Sequence, residues 1–283
     1  MILGIIPWYE VPVAFVMTGI AAGGAFVLKK VTAGGAVAGL TVGIALFLFA
    51  GPAAFVILMA FFISSVFAGR AGGERKRALE QIWEKGGRRD QWQALANTGP
   101  QAAMAVAALV AGSSARADPA VFVGIAGGFA AATADTWASE LGSVFGGRPV
   151  SLRSLRPTRP GESGAISAAG TVLGLGGALL IGVLGLLSVW AIVRASVVPA
   201  LEAGLVIFAA GAVGFFLDSL LGAFVQVQFV AESGALVEKR KPGARRARGL
   251  PFVGNDVVNL ISTTVATLGA WAVAELSWAA PAM

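Results

Sequence analysis

Long apolar stretches separated by short polar segments run through the whole chain. A helix needs about 20 mostly apolar residues to cross the roughly 30 Å hydrocarbon core of a bilayer. The stretches that meet this requirement approximately are Val11–Leu28, Ala33–Ala50, Pro52–Gly69, Asn97–Ser114, Pro119–Gly142, Gly164–Leu187, Leu201–Val230 and Gly254–Leu276. The pattern predicts an all-α polytopic membrane protein in which residues 1–283 form a single bundle of about eight transmembrane helices. Ser188–Ala200 is either an interfacial helix or a continuation of the sixth span.

The composition excludes a water-soluble globule. Hydrophobic residues make up 57 % of the 283 residues and charged residues only 13 %, whereas a soluble domain has about 25 % charged residues. The chain has no Cys and no His, which excludes disulfides, thiol nucleophiles, Cys/His zinc sites and Ser-His-Asp triads. Any chemistry therefore depends on carboxylates, amides, hydroxyls, Lys, Arg and a hard cation.

Basic residues are concentrated between the apolar stretches. Of the 21 Lys and Arg, all but Arg116 and Arg194 lie at positions 29–30, 70–89, 148–159 and 239–248. Threading eight helices through the membrane places these four clusters on one side, which the positive-inside rule makes cytoplasmic. We therefore expect both termini outside the cytoplasm and basic cytoplasmic loops at 70–96, 143–163 and 231–253. The net charge of +6 then indicates membrane topology, and the expected location is a prokaryotic plasma membrane with the site facing the cytoplasm.

A few polar groups lie within or at the ends of the predicted spans. Asp135 and Asp218 lie in the inner halves of their helices, and the polar residues that open helices from the inner face are Asn97, Asn255 and Asp256. An ionisable group at membrane depth costs at least about 2.5 kcal/mol, so it is either functional or paired. Two carboxylates with nearby amides form the donor set that Mg²⁺ prefers, and Mg²⁺ commonly bridges carboxylates to substrate phosphates. For each aspartate alone, a hydrogen bond between helices or a pair with Arg is the alternative.

Helical spacing places small residues beside both aspartates. Positions i, i+4 and i+7 or i+8 share one face of a helix. Asp135 therefore shares a stripe with Ser139 and Gly142, and Asp218 shares one with Gly222 and Gln226. The glycines predict space for an ion or a ligand beside each carboxylate.

A loop rich in arginine and glycine offers a second element of a phosphate site. Arg156 and Arg159 are followed by a turn that contains Gly161, Ser163, Gly164 and Ser167. Arginine binds phosphate through two parallel hydrogen bonds, and a turn at a helix N-terminus presents N–H groups to an anion. The loop predicts binding of an oligophosphate or a phospholipid headgroup, with simple attraction to lipid headgroups as the alternative. In that case the phosphate site has to be built from Lys76, Arg88 and Arg89.

Several segments together resemble a broad family of integral membrane proteins. They are Ala134-Asp-Thr-Trp-Ala-Ser-Glu-Leu-Gly142, Leu217-Asp-Ser-Leu-Leu-Gly-Ala223, Asn255-Asp-Val-Val-Asn-Leu260, Phe61-Phe-Ile-Ser-Ser65 and Gly87-Arg-Arg-Asp-Gln-Trp-Gln-Ala-Leu-Ala-Asn97. The family includes the chloroplast phytyl-phosphate kinase of tocopherol synthesis and an uncharacterised animal transmembrane protein. More distantly, the pattern is similar to that of dolichol kinases and CDP-diacylglycerol synthases. Where the family commonly carries Gly-Thr-Asn-Gly-Gly-Val-Ser, this chain has Gly161-Glu-Ser-Gly-Ala-Ile-Ser167.

The resemblance implies Mg²⁺-dependent transfer of a phosphoryl group from a nucleoside triphosphate to an isoprenoid monophosphate. CTP is the favoured donor, and phytyl or geranylgeranyl phosphate is the expected acceptor. Asp135 and Asp218 then hold Mg²⁺ on the triphosphate, while Arg156 and Arg159 neutralise phosphate charge. Further residues expected at the site are Ser139, Glu140, Asn97, Asn255 and Asp256. The prenyl tail is expected in a groove between glycine-lined helices that opens sideways to the bilayer.

Two other classes of function stay open. A lipid nucleotidyltransferase that releases pyrophosphate uses the same metal chemistry, and a transporter of an anionic substrate also places carboxylates in the membrane. The expected partners are the lipid bilayer, the isoprenoid monophosphate and, as an option, a second copy of the chain in a homodimer. Nucleic acid is not an expected partner.

Overall fold

The computed structural model describes residues 6–71, 87–113, 116, 118–193, 197–232, 236–238, 240 and 242–279. The helices in this part of the chain are α1 (Glu10–Val27), α2 (Ala33–Ala45, continued by a π-helical segment over Leu46–Ala50), α3 (Pro52–Ala68), α4 (Gln91–Val110), α5 (Pro119–Phe145), α6 (Ala168–Val193), α7 (Val197–Phe224) and α8 (Asn255–Ala279). Six of these described helices are long and apolar enough to cross a membrane, whereas α3 has 17 residues and α4 begins with polar side chains. The predicted bundle of about eight helices is confirmed.

The helices run alternately up and down, so the basic clusters meet at one end of the bundle. The Arg89 N–H donates to the carbonyl of Lys30 (3.0 Å), and the Arg248 guanidinium pairs with Glu162 (3.0 Å). We call the end that carries residues 29–30, 88–89, 148–159 and 245–248 the basic end. The described basic clusters thus share one end, as the threading predicts, while Lys76 and Arg194 lie outside the described residues.

The opposite end is held together by Arg116. Its guanidinium pairs with Glu10 of α1 and donates to the carbonyls of Phe47 (2.9 Å) and Leu48 (3.2 Å) in the π-helical segment. The Phe47 carbonyl also accepts from the Gly51 N–H (3.1 Å), so Arg116 adds side-chain hydrogen bonds to the irregular end of this helix. Arg116 therefore has a structural role far from the basic end.

Helix α5 is the centre of the bundle. Residues 120–134 of α5 are all buried, and the helix packs against α3, α4, α6, α7 and α8. Helices in lipid associate through close van der Waals packing, which small residues permit. At Gly128 a Cβ atom would lie 2.0 Å from Thr267 Oγ1 of α8 and 2.4 Å from Gln101 Nε2 of α4. Gly128 thus lets α4, α5 and α8 meet, and this contact fixes the depth of the polar residues that follow in α5.

Short strands in the connections at the basic end depart from the all-helical prediction. Strands β1 (Val150–Ser151) and β2 (Ala165–Ile166) form an antiparallel hairpin. Strands β3 (Gln228–Val230), β4 (Leu236–Val237) and β5 (Arg245–Arg248) form an antiparallel sheet with β3 in the middle. The connections between helices are therefore partly ordered as sheet, and they cover the basic end.

Several predicted helix boundaries differ in the structure. The sixth span begins at Ala168 rather than Gly164, because Gly164 has a φ of +75°, which is outside the helical region. The seventh span ends at Phe224, and residues 228–230 belong to β3. Residues 188–193 continue the sixth span as part of α6, which was one of the two predicted alternatives, and residues 197–200 open α7; residues 194–196 lie outside the described residues.

Candidate functional site

A polar cavity of about 250 Å³ lies at the basic end, among α4, α5, α7, α8 and the loop between β1 and β2. The residues of its lining that the sequence predicted are Asn97, Asp135, Ser139, Glu140, Gly161, Ser163, Gly164, Ser167, Asp218, Asn255 and Asp256. They come from four helices and one loop, and the alternating helix directions bring them together. The predicted convergence of polar residues on one end of the bundle therefore holds in the structure.

The two aspartates lie side by side in this cavity. The carboxyl groups of Asp135 on α5 and Asp218 on α7 are within hydrogen-bonding reach of each other. Asp218 is 8 % exposed, and Ser262 Oγ of α8 donates to its Oδ2 at 3.0 Å. Two ionised carboxylates at such a separation repel each other, so a proton or a cation between them stabilises the pair. The pair has the chemistry of a cation site.

Arg89 supplies a positive charge that faces the aspartates. Its guanidinium lies close to Asp135 and Glu140, and 5.6 Å from the centroid of the Phe61 ring. Its backbone is fixed because the carbonyl accepts from the Thr32 N–H (2.9 Å) in the turn before α2. Burial lowers the pKa of Arg89, and the nearby carboxylates of Glu140 and Asp135 oppose that shift. The guanidinium remains cationic at neutral pH, and it is the described cation best placed to bind an anion in the cavity.

Arg156 and Arg159 do not line the cavity, which corrects the prediction from the sequence. Both side chains are exposed, and neither residue belongs to the cavity lining. The carbonyl of Arg156 accepts from the Ser151 N–H (3.0 Å), which folds this half of the loop back onto β1. The other half, residues 160–167, lines the cavity. The loop therefore contributes its glycine turn to the site and leaves its arginines outside.

Glutamines that follow α7 hold the glycine turn over the cavity. Ser163 Oγ donates to Gln226 Oε1 at 2.8 Å. Gln228 Nε2 donates to the carbonyls of Ser163 and Gly222, both at 3.2 Å, and its Oε1 accepts from Arg248 Nε at 2.8 Å. Gln226 thus positions the turn, and it does not extend the Asp218 stripe along the cavity wall as the helical spacing predicted, because α7 ends before it.

Glycine is required at position 164. The residue has a φ of +75°, and a Cβ atom there would lie 2.4 Å from the Cα of Ala223 on α7. A side chain would be strained by this backbone conformation and would also collide with the helix. Gly164 therefore allows the loop to touch α7 one turn beyond Asp218.

Some of the backbone N–H groups that the sequence predicted to bind an anion donate instead to carbonyls within the loop. The Glu162 N–H donates to the Arg159 carbonyl (3.3 Å), and the Ala165 N–H donates to the Glu162 carbonyl (3.0 Å). Ser167 Oγ accepts from the Gly170 N–H (3.1 Å), so Ser167 caps the start of α6. The turn is thus a folded cover for the cavity, with fewer N–H groups directed to an anion than the sequence suggested.

The small residues beside the aspartates serve packing. A Cβ atom at Gly142 would lie 2.7 Å from the Cα of Gly170, and one at Gly222 would lie 2.8 Å from Ser163 Oγ. The space that the sequence assigned to a ligand is therefore occupied by α6 and by the glycine turn. Both glycines still border the cavity, but they act by letting neighbouring backbone come close.

The site residues expected from the sequence leave out several polar residues of the lining, among them Gln93, Glu162, Glu238 and Asn259. Asn259 follows Asn255 by one helical turn, so its spacing carried a signal. Glu162 pairs with Arg248, and this contact joins the glycine turn to β5. Glu238 follows β4 in a connection where no helical period applies, so its position depends on the tertiary fold.

Among the described residues, six carboxyl side chains and one guanidinium line the cavity. In the described part of the chain, no group of three His, Cys, Asp or Glu is placed to hold a metal ion by itself. Mg²⁺ commonly takes one or two protein carboxylates and completes its octahedron with waters and substrate phosphates. The Asp135–Asp218 pair fits a Mg²⁺ ion that arrives with a phosphate ligand, and it does not fit a cage made of protein alone.

Comparison with known proteins agrees with this membrane architecture. A family described as Integral membrane protein DUF92 matches residues 16–267. The chain belongs to this family. It is 27 % identical to Protein PGR of Arabidopsis thaliana over 271 residues, which cover 90 % of this chain and 93 % of that protein. It is 30 % identical to Uncharacterized membrane protein MJ0933 of Methanocaldococcus jannaschii over 231 residues, which cover 82 % of this chain and 80 % of that protein. No solved structure matches the chain.

Membership of the DUF92 family confirms the resemblance to integral membrane proteins that the sequence motifs indicated. The relatives come from a plant and an archaeon, so the family is not confined to prokaryotes. A prokaryotic plasma membrane therefore stays a prediction for this chain, as does the more distant likeness to dolichol kinases and CDP-diacylglycerol synthases.

Proposed function

We propose that this protein transfers a phosphoryl group, with Mg²⁺, from a nucleoside triphosphate such as CTP to an isoprenoid monophosphate. The observation that carries the proposal is the placement of the Asp135–Asp218 pair and Arg89 in one polar cavity of an otherwise apolar bundle. Phosphoryl transfer requires both charges, because carboxylates hold the metal ion on the triphosphate while a cation neutralises phosphate oxygens. Carboxylates alone would suit a cation, and Arg89 adds a place for an anion.

In the proposed reaction an oxygen of the lipid phosphate attacks the γ-phosphorus of the nucleoside triphosphate. A P–O bond forms between them, the bond from the γ-phosphorus to the β,γ-bridging oxygen breaks, and the nucleoside diphosphate leaves. A phosphate monoester already carries about −1.5 to −2 charges at pH 7. The acceptor therefore needs no general base, which is compatible with a chain that has no His. Bound Mg²⁺ supplies charge compensation on the phosphates.

The residues of the cavity have distinct roles in this proposal. Asp135 and Asp218 hold the cation, and Ser262 fixes the Asp218 carboxylate through its hydrogen bond. Arg89 binds phosphate oxygens with its planar guanidinium. Further oxygen and amide groups around them come from Ser139, Glu140, Asn97, Asn255 and Asp256. The turn over residues 161–167 covers the triphosphate and limits access of water.

An assay with the purified chain tests the proposal. The chain is incubated with labelled CTP, ATP, GTP or UTP and with phytyl, geranylgeranyl or farnesyl phosphate. Asp135→Asn and Asp218→Asn are each expected to lower turnover at least about a hundredfold, because the cation loses a carboxylate ligand. Glu202→Gln changes an exposed carboxylate at the far end of α7 and is expected to keep full activity. Substantial turnover by either Asn variant, with an unchanged size-exclusion profile, would contradict the assigned role.

The reaction products separate the proposal from its alternatives. A kinase releases a nucleoside diphosphate and a lipid diphosphate, whereas a nucleotidyltransferase releases pyrophosphate and joins the nucleotide to the lipid. A transporter moves a labelled phosphate ester into proteoliposomes without forming either product. Chromatography of the products and a flux measurement on the same preparation therefore distinguish the three functions.

A further inference from the structure

A second, apolar cavity adjoins the polar cavity. It has a volume of about 80 Å³ and lies among α1, α2, α3 and α4. Its walls consist mainly of small, aliphatic and aromatic residues such as Ala22, Gly39, Leu58 and Phe62. Among the described residues, Arg89 is the only charged member of this lining. A cavity of this composition suits a hydrocarbon chain and does not suit a nucleotide.

Arg89, Gln93 and Asn97 line both cavities. They place one guanidinium and two amides where the polar and the apolar surfaces meet. The Gln93 side chain accepts from the Asp90 N–H (3.3 Å), and Asn97 Nδ2 donates to the Gln93 carbonyl (2.8 Å), so both amides are held in place. The carboxylates lie on one side of Arg89 and the two amides, and the apolar cavity lies on the other side. This arrangement matches an amphiphile whose anionic head contacts Arg89 and whose hydrocarbon chain enters the apolar cavity.

We propose that the apolar cavity holds the hydrocarbon chain of a lipid monophosphate whose phosphate lies against Arg89, Gln93 and Asn97. This inference rests on the function proposed above and specifies which side of the site binds the lipid acceptor. The donor phosphates then approach from the other side of the carboxylate pair.

The contacts of the two aspartates show which residues lie on the side of the carboxylate pair away from Arg89. Asp135 lies close to both Arg89 and Asp218. Gly222, one turn after Asp218 on α7, lies against Ser163 of the glycine turn. The carboxylate pair is therefore placed between Arg89 and the glycine turn, and the nucleoside triphosphate occupies the side of the glycine turn.

The apolar cavity is closed at its deep end and open at one edge. A Cβ atom at Gly43 would lie 2.6 Å from Thr18 Cγ2 and 3.6 Å from Phe55 Cε2, and both side chains belong to the lining. Thr18 precedes the end of α1 at Val27 by a helical rise of about 13 Å. Gly39 is an exposed member of the lining, and a Cβ atom there would meet no atom within 4 Å. A longer chain therefore leaves the cavity sideways past Gly39.

Photo-crosslinking of the full-length chain in detergent tests this placement. The probe is a long-chain alkyl phosphate with a diazirine in the middle of the chain, and the adducts are located by mass spectrometry. We expect adducts within residues 18–25, 35–42 and 55–62, with competition by unlabelled alkyl phosphate and not by the corresponding alcohol. Gly39→Leu adds a side chain at the open edge of the cavity, where a Cβ atom meets no neighbour within 4 Å, and is expected to reduce these adducts at least about tenfold. Gly23→Leu places the same side chain at an exposed glycine of α1 outside the lining, and it should leave them unchanged.

The outcomes separate this inference from the proposed function. Adducts outside the lining, or equal labelling of the Gly39→Leu and Gly23→Leu variants, would overturn the lipid site even if the purified chain turns over its substrates. Adducts in the lining of a chain that shows no turnover would keep the lipid site and contradict the proposed function. If Gly39→Leu fails to fold, the positions of the adducts in the unaltered chain still decide.

Discussion

Arg89 lines the polar cavity, whereas Arg156 and Arg159 of the loop lie outside it. A change from arginine to lysine distinguishes their roles. Lysine keeps the charge of arginine but loses the planar fork that binds phosphate at two points. Arg89→Lys is therefore expected to lower kcat/KM at least about tenfold, which corresponds to roughly 1.4 kcal/mol of transition-state binding. Steady-state kinetics of the purified variants measure this effect.

Arg156→Lys is the matched control for that substitution. The side chain is exposed and lies outside the cavity, and the lysine keeps its charge at the basic end. We expect kcat/KM within about twofold of the unaltered protein, as for most surface substitutions. Losses of the same size in both variants would bring the loop arginines back into the site, and no loss in either would reduce Arg89 to a charge partner of Asp135 and Glu140.

The sequence identified the carboxylates of the site more reliably than its cation. Asp135 and Asp218 stand out because each interrupts a long apolar stretch, where an unpaired charge is too costly to be incidental. Arg89 lies among several other basic residues, so the sequence does not single it out. Its place at the cavity depends on tertiary contacts with the turn before α2 and with the Phe61 ring. Arg156 and Arg159 carried the stronger local signal, but the hairpin that turns them away depends on contacts with distant glutamines.

The hairpin of β1 and β2 depends on Gly164, and a substitution there tests its role. Gly164→Ala is expected to lower the melting temperature and the turnover together, because it adds a contact of 2.4 Å to the strain of a positive φ. Gly112→Ala is the control, since Gly112 also has a positive φ (+81°) but a Cβ atom there would meet nothing within 4 Å.

The control isolates the backbone strain, which costs about 1–2 kcal/mol for a residue in the left-handed region. Gly164→Ala should destabilise the protein by clearly more than Gly112→Ala, and only Gly164→Ala should impair turnover. Thermal unfolding followed by tryptophan fluorescence measures the first effect. Equal melting temperatures for the two variants would mean that the loop moves away from α7 without cost and does not close the cavity.

Helices were predictable wherever an apolar run defined them, and less so where polar residues formed the first turns. Helix α4 begins at Gln91, before the predicted Asn97, because Asp90 and Gln93 form a capping box. That motif is readable in a sequence, but the polar residues after it concealed the start of the span. Strand β5 consists of Arg245–Arg248 and has no apolar alternation, so its pairing with β3 follows from the tertiary fold.

Taken across the bundle, polar chemistry and basic charge share one end, while the opposite end is held by Arg116 and Glu10. The central α5 explains this asymmetry, because its buried, small-residue half leads directly into the Asp135 segment. This polarity leads us to expect a defined orientation in the membrane, because the positive-inside rule predicts that positively charged loops stay in the cytoplasm. With that predicted orientation, a site at the basic end would face the compartment that contains nucleoside triphosphates.

Orientation is testable because the chain has no cysteine of its own. Leu155 lies in the hairpin loop at the basic end and is 77 % exposed, and Trp8 precedes α1 at the opposite end and is 83 % exposed. We expect Trp8→Cys to react with a membrane-impermeant maleimide in intact cells, and Leu155→Cys to react only after permeabilisation, because the positive-inside rule places the basic end in the cytoplasm. Both positions are well exposed, so a difference in labelling reports the side of the membrane and not burial. Labelling of Leu155→Cys in intact cells would reverse the topology and place the carboxylate cavity on the side away from cytoplasmic nucleotides, which would also remove the basis for nucleoside triphosphate as the donor.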